Sequence, residues 1–369
     1  MKLLYVLRYY PTLTETFVRE EIEELVARGH EVRIVSLGSR EDGAEVPVLE
    51  GVAVLRPLRG VRLVKWMLRV LGIPWVWGED VEVSGWKARA RAVELAERIR
   101  SWGCERVHVH FAGEAAEWAD VFLRVVRVPS SVTVHAVDLY KPRPSLPRLL
   151  HRFGCVVTIS DANAKWLQQE YGVSATVIRC GVRPDRWAVT RGQREAGERL
   201  RVVSVGRWTA KKGLDLLLGA HQAVADKVAL RLVTDPPQGA AVQGVIIGAV
   251  PHQDVPGVLA EADVFVLPCR VAEDGDRDGI PVALMEAMAS GLPVVTTSLP
   301  GLGELVDEQV GWVVAPDEVG ALVTALSEAQ DSSERRRRGE AGARRIVEQG
   351  WTVVRQVDEL LEVWGPTQS

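Results

Sequence analysis

Residues 273–291 read EDGDRDGIPVALMEAMASG, so Asp274, Asp276 and Asp278 crowd one short loop and Glu286 stands alone in the apolar run behind it. Carboxylates in such a pattern can chelate a cation, hold a metal on a diphosphate, or take hydroxyl groups without any metal. Asp274, Asp276, Asp278 and Gly279 match the first half of a calcium loop, but Met285 occupies the twelfth position, where a bidentate acid is required. The third chemistry fits the local pattern better. Pro281 suits a first helical position and Gly291 suits a helix stop, which predicts a helix over 281–290. Its free N–H groups and positive dipole end face an incoming anion. Asp278 lies just before that end, and Glu286 lies about 7–8 Å further along the axis. From Gly279 through Gly303, Glu286 is the only ionisable residue. A carboxylate is costly to bury without partners, so it is expected to face a cleft.

Cations come from SVGRWTAKKGLDLLL, residues 204–218, where Arg207 and Lys212 precede a helix expected to start near Gly213. The order of glycines and lysine is not that of a P-loop. Two cations at the carboxyl end of a strand can stabilise a departing diphosphate. A competing chemistry comes from His108 and His110, which share one face of a strand at i, i+2. With His135 and Asp138 they would make the metal centre of a hydrolase. The simpler reading makes one of these histidines a cleft residue and the others structural.

The elements that must position these groups alternate between short apolar runs and helical periods. KLLYVL (2–7), EVRIVSL (31–37), VAVL (52–55), RVHVHF (106–111), SVTVH (131–135), CVVTIS (155–160) and ATVIRCG (175–181) read as strands of a first half. LRVVSVG (200–206), LRLVT (230–234), VQGVIIGAV (242–250), DVFVLP (263–268), PVVTTS (293–298) and GWVVAP (311–316) read as strands of a second. Strands alternating with helices predict α/β domains with doubly wound parallel sheets. The polar stretch 183–199 is read as a linker. The expected domains are 1–182 and 200–350, each Rossmann-like, with the default ligand site in the cleft between them.

A net charge of −4, from 45 basic and 49 acidic residues among 369, gives no global push toward nucleic acid. Four scattered cysteines without a C-x-x-C pair argue against a disulfide framework or structural zinc and fit a reducing compartment. No apolar run reaches the ~20 residues of a membrane span, and a cytoplasmic protein is expected. The stretch 56–78 contains no acid, and Arg56, Arg59, Arg62, Lys65 and Arg69 recur every three or four residues. Such a basic amphipathic segment can pack on a sheet or meet an anionic membrane surface through 56–71.

DGIPVALMEAMASGLPVV together with VGRWTAKKGLDLLL resembles the retaining glycosyltransferases of family 4, and the resemblance extends over most of the chain. TETF (14–17) is similar to that family's Ser/Thr-Glu-Thr-Phe variant, HAVDLY (135–140) to its histidine loop, and RCGV (179–182) to the hinge before its second domain. The resemblance implies a GT-B fold in which helix 351–365 returns to the first domain. It implies transfer of a sugar from a nucleoside diphosphate sugar to an acceptor hydroxyl, with UDP ahead of GDP or ADP. Asp278 would take hydroxyls of the donor sugar and Glu286 those of the ribose, while Arg207 and Lys212 hold the diphosphate. The family's first acid is usually Glu; here it is Asp, one methylene shorter. His135 would lie near the reacting sugar, and Gly279, Ile280 and Pro281 would bring backbone to it. Gly248 and Val250 would border the base. Thr14, Glu15, Thr16, His110 and Asp138 would border the phosphate or the acceptor. The implied mechanism uses no metal and no cofactor beyond the donor. The acceptor is a carbohydrate, a lipid-linked sugar or a small molecule. A catalytically weak nucleotide-sugar-binding module is the non-enzyme alternative.

Overall fold

The structure is a computed structural model, and it describes residues 1–12, 15–38, 47–57, 83, 85–141, 143–190, 197–235 and 242–365. Among these, contacts divide the chain into two compact units. The first holds 1–159, 163–178 and the chain from Val357 on; the second holds 160–162 and 179–356. Residues 179–182 and 351–356 therefore group with the second unit, inside the expected boundaries of the first. The reason is local: Gly181 leaves room for the chain at Thr352, where a Cβ would stand 2.0 Å from the Thr352 carbonyl carbon. Val182 pairs there with Thr352.

In the first unit, β1 (Lys2–Tyr9), β2 (Glu31–Gly38), β3 (Ala53–Leu55), β4 (Arg106–His110), β5 (Ser130–Val134), β6 (Cys155–Thr158) and β7 (Thr176–Val177) form one sheet. Its order is β3-β2-β1-β4-β5-β6-β7, and every pair is parallel. The central strands are buried on both faces, as Leu3 through Leu7 show. That explains why they read as continuous apolar runs rather than alternating ones. Helix α1 (Thr16–Ala27) follows β1. The helix Glu114–Val126 sets Phe122 and Val121 into the core beside Val107 and Val132. A buried aromatic such as Phe122 contributes about 1.5–3 kcal/mol.

The second unit repeats the design with β8 (Leu200–Val205), β9 (Val228–Val233), β10 (Val245–Gly248), β11 (Val264–Leu267), β12 (Val294–Thr297) and β13 (Gly311–Val314). Their order is β10-β9-β8-β11-β12-β13, again parallel throughout. Each sheet reverses its winding once, between β1 and β4 in the first unit and between β8 and β11 in the second. Ligands of open α/β sheets bind at the carboxyl ends of the strands flanking such a switch point. The loops after β1, β4, β8 and β11 are therefore the ones to inspect.

The helix expected from Pro281 spans Val282–Ala289. Pro281 has φ −65° but an extended ψ of 127°, so it precedes the helix rather than opening it. The helix expected near Gly213 runs from Leu214 to Val224, after a single 3₁₀ turn at Ala210–Lys212. No helix among the described residues is long and apolar enough to cross a membrane. Thr14 and the basic residues from Arg59 to Arg69 lie outside the described residues.

Candidate active site

The two loops at the second switch point are locked together by backbone. Gly213 ends the β8 loop with φ +64°, and a Cβ there would stand 2.1 Å from the Pro268 carbonyl oxygen that opens the β11 loop. Only glycine meets both demands. The lock brings Lys212 Nζ to 2.9 Å from Asp278 Oδ2, and Lys211 Nζ to 3.1 Å from Asp276 Oδ1 and 3.6 Å from Asp278 Oδ1. The side chains of Asp278 and Lys212 are only 14% and 13% exposed.

At that depth a charge survives only with its counterion. Burial by itself would raise the Asp278 pKa, yet the two ammonium groups, Lys212 foremost, hold it below the usual carboxylate range. For Lys212 burial works downward, and Asp278 more than reverses it, leaving the ammonium harder to deprotonate. Cys269, with Sγ 3.6 Å from Asp278, stays a thiol because burial and that carboxylate both push its pKa up. Asp276 and Asp278 thus face lysines, the arrangement opposite to that of a calcium loop.

Glu286 is buried in the helix Val282–Ala289. Its Oε1 lies 3.0 Å from His252 Nε2, and the His252 ring meets Trp187 edge-on at 5.4 Å. Arg207 is exposed in the β8 loop, and Gly248 and Val250 lie at and just beyond the end of β10. Gly279 and Ile280 are buried, and the Gly279 carbonyl would stand 2.8 Å from a Cβ at Gly301.

At the first unit's switch point, His110 ends β4 and His135 follows β5. Nδ1 of His110 lies 3.2 Å from Nε2 of His135. The His135 N–H donates to Asp138 Oδ2 at 2.9 Å. Burial pushes the Asp138 carboxyl up to about 6, against the lowering effect of its backbone hydrogen bonds. Glu15 precedes α1 and Thr16 opens it. Among the described residues, the one group of three or more side chains able to hold a metal ion is Glu21, His108 and His110. His135 is not part of it, contrary to the metal centre considered from sequence.

Three residues emerged only from the structure. Lys211 shares the charge of both loop acids, His252 partners Glu286, and Glu21 sits beneath the histidines. Glu21 did leave a trace in the sequence, because it falls at i+3 from Val18 and i−4 from Leu25, on the buried stripe of α1.

A family model described as "Glycosyltransferase Family 4" matches residues 14–186, and one described as "Glycosyl transferases group 1" matches 199–331. WcaL of Salmonella typhimurium, a protein named for colanic acid biosynthesis, is 30% identical over 377 residues, with 89% of this chain and 90% of that protein covered. The chain belongs to glycosyltransferase family 4. AmsK of Erwinia amylovora, named as an amylovoran biosynthesis glycosyltransferase, is 26% identical to this transferase over 88% of its chain and 90% of AmsK. The fold of the transferase is GT-B. HepE of Anabaena, solved in complex with UDP and glucose, superposes with a TM-score of 0.74 at 16% identity, covering 98% of each chain. The hydrolase reading of the histidines gives way to this assignment.

Proposed function

We propose that this transferase moves a sugar, with retention, from a nucleoside diphosphate sugar to an acceptor hydroxyl in the assembly of a cell-surface polysaccharide. UDP stands ahead of GDP or ADP as the base. The polysaccharide role comes from what WcaL and AmsK are named for. One observation carries the chemistry: two lysines and an ionised aspartate converge from the β8 and β11 loops at the switch point of the second sheet.

In this reading the diphosphate lies across Lys212 and Arg207. An ammonium has three donors, and Asp278 engages one of those on Lys212. Charge grows on the leaving oxygen as the sugar–phosphate bond breaks, and each well-placed cation there supplies roughly 3–4 kcal/mol. The acceptor hydroxyl attacks the face that the diphosphate leaves and passes its proton to a phosphate oxygen. Asp278 takes hydroxyls of the sugar, and Glu286 takes those of the ribose. Backbone at Gly279, Ile280 and Pro281 lies against the sugar, and Gly248 and Val250 border the base. The protein's own cations do the work a metal would do, so turnover persists in chelator. The first unit, with His110, His135, Asp138, Glu15 and Thr16, serves the acceptor side. A lipid-linked acceptor would suit the basic stretch 56–71. Four free cysteines, three of them buried, suit a cytoplasmic enzyme.

The test is a panel of UDP-glucose, UDP-galactose, GDP-mannose and ADP-glucose with EDTA present, reading release of nucleoside diphosphate with the wild type and Asp278→Ala. Release from one donor, at least 100-fold slower in the variant, supports the reading. Binding without turnover in both proteins would make the chain a sugar-nucleotide-binding module instead.

A further inference from the structure

A buried chain of hydrogen bonds crosses the first unit at its switch point. The Tyr5 hydroxyl, on β1, donates to Glu21 Oε1 at 2.6 Å. His110 Nε2 lies 3.0 Å from the same oxygen, and His110 Nδ1 lies 3.2 Å from His135 Nε2. Tyr5, Glu21 and His110 are at most 2% exposed, and His135 is 6% exposed.

The protons along this chain follow from its first member. Burial alone would raise the Glu21 pKa, but the field and hydrogen bond of His110 hold it at about 2. An ionised carboxylate only accepts, so His110 Nε2 carries a hydrogen. His110 Nδ1 in turn meets His135 Nε2, so the hydrogens that Glu21 fixes on His110 decide which of the two nitrogens donates across that contact. Burial holds the His135 pKa well below its ordinary value, so the ring carries one hydrogen and its partner fixes which nitrogen holds it.

The peptide at His135 is pinned separately, with its N–H on Asp138 Oδ2 and the Asp138 N–H on its carbonyl, both at 2.9 Å. Beside it Phe111 adopts φ +70°, which a bulky residue rarely accepts, and its ring centre lies 4.5 Å from that of His135. Strain of this kind persists where the surrounding structure enforces it and gathers at working sites. His108 has further partners of its own, with Nδ1 2.7 Å from Ser131 Oγ and Nε2 3.2 Å from Thr133 Oγ1 and 3.8 Å from Glu21 Oε1.

We propose that Glu21 is a positioning residue, which acts through His110 to hold His135 in a single tautomer. Only the activity arm of the test below rests on the transferase reading, because the tautomer is a property of the unliganded protein. Glu21, His108 and His110 also place their ligand atoms within 4.8 Å of one another. A divalent metal there is the competing occupant.

The experiment uses full-length protein labelled with [15N]histidine, and reads two-bond 1H–15N spectra at pH 7.5, with His135→Gln to assign the resonance. Wild type should show His135 in one tautomer. Glu21→Met, an apolar side chain of similar length, should give a mixture of tautomers, and Glu21→Gln, which keeps an acceptor oxygen, should stay closer to wild type. On whichever sugar nucleotide of the panel turns over, Glu21→Met should lower kcat about 10–100-fold with KM within twofold. An unchanged His135 spectrum in Glu21→Met would overturn the proposal. So would stoichiometric zinc or another divalent metal in the purified wild type that is lost in Glu21→Gln. The spectra decide it even if no sugar nucleotide is consumed, so the transferase reading can fail by itself.

Discussion

Lys212 Nζ stands 2.9 Å from Asp278 Oδ2, and this contact joins the two loops that flank the winding reversal of the second sheet. The chain spends burial on the pair: both side chains are largely withdrawn from water, and each keeps the other charged. A phosphate bound here, as proposed, would meet an ammonium already fixed in direction. Preorganised charge of that kind stabilises a transition state without reorganising during the reaction.

Breaking the pair should therefore cost both activity and stability. Lys212→Met should lower turnover by about 100–1,000-fold. It should also destabilise the protein by about 3 kcal/mol, because Asp278 is left buried with Lys211 as its remaining cation at 3.6 Å. The double variant Lys212→Met/Asp278→Leu should recover much of that stability and none of the activity. Urea denaturation of the three proteins reads the coupling; additive losses would mean that the pair is not a unit.

Glu286 offers a cleaner loss of binding. Its partner His252 is partly exposed and can be solvated when the carboxylate is removed. Glu286→Ala should weaken nucleoside diphosphate binding about tenfold, roughly 1.4 kcal/mol, with a thermal midpoint within a few degrees of wild type. Titration calorimetry measures this, and unchanged affinity would remove Glu286 from the ribose site.

The buried histidines set a pH dependence opposite to that of a salt-bridged one. Burial, helped by His110, holds His108 at about 3, and burial holds His135 well below its ordinary value. As pH falls below the unfolded value of about 6.5, the unfolded chain takes up protons that the folded one refuses. Stability should fall from about pH 6.5 downward, with a slope of about 1.4 kcal/mol per pH unit for each such histidine, offset in part below about pH 6 by Asp138, whose raised carboxyl the fold keeps protonated. The carboxylates Glu21 and Asp278, whose folded values are depressed, add their own loss only below about pH 4. Denaturation at pH 7.5 and 5.0 should show this loss, and His108→Gln should reduce the difference. Equal stability at both pH values would mean that the histidines are protonated in the fold.

Gly213→Ala tests the lock between the two loops. A Cβ there meets the Pro268 carbonyl at 2.1 Å with φ at +64°, so the β8 loop must shift and carry Lys212 with it. A loss of at least about 2 kcal/mol and a raised KM for the donor are expected. A variant with wild-type KM would show that Lys212 is placed by other means.

Much of the fold was legible because strands buried on both faces leave continuous apolar runs. Among the described residues, all thirteen strands overlap the runs read from sequence, KLLYVL extending to Tyr9 and ATVIRCG shrinking to Thr176–Val177. The candidate site was legible where its signals are local, as in the helix between Pro281 and Gly291 that carries Glu286. It was not where partners meet across the chain. Nothing near Lys211 announces Asp276, 65 residues on, nor does Glu286 name His252, 34 residues before it. Glu21 stands among Glu20, Glu23 and Glu24, and four neighbouring acids give no sign of which one meets partners across the chain. Only the stripe it shares with Val18 and Leu25 separates it, and a glutamate on such a stripe becomes meaningful once Tyr5 and His110 are seen to reach it.

The most direct measurement is titration of the wild type and Lys212→Met with UDP, GDP and ADP in EDTA, followed by thermal unfolding. One nucleotide, held at ~100 times its dissociation constant, should stabilise the wild type by about 2.7 kcal/mol and bind at least tenfold more weakly to the variant. Stabilisation by calcium alone, with none by any nucleotide, would contradict the account and return the acidic loop to a metal.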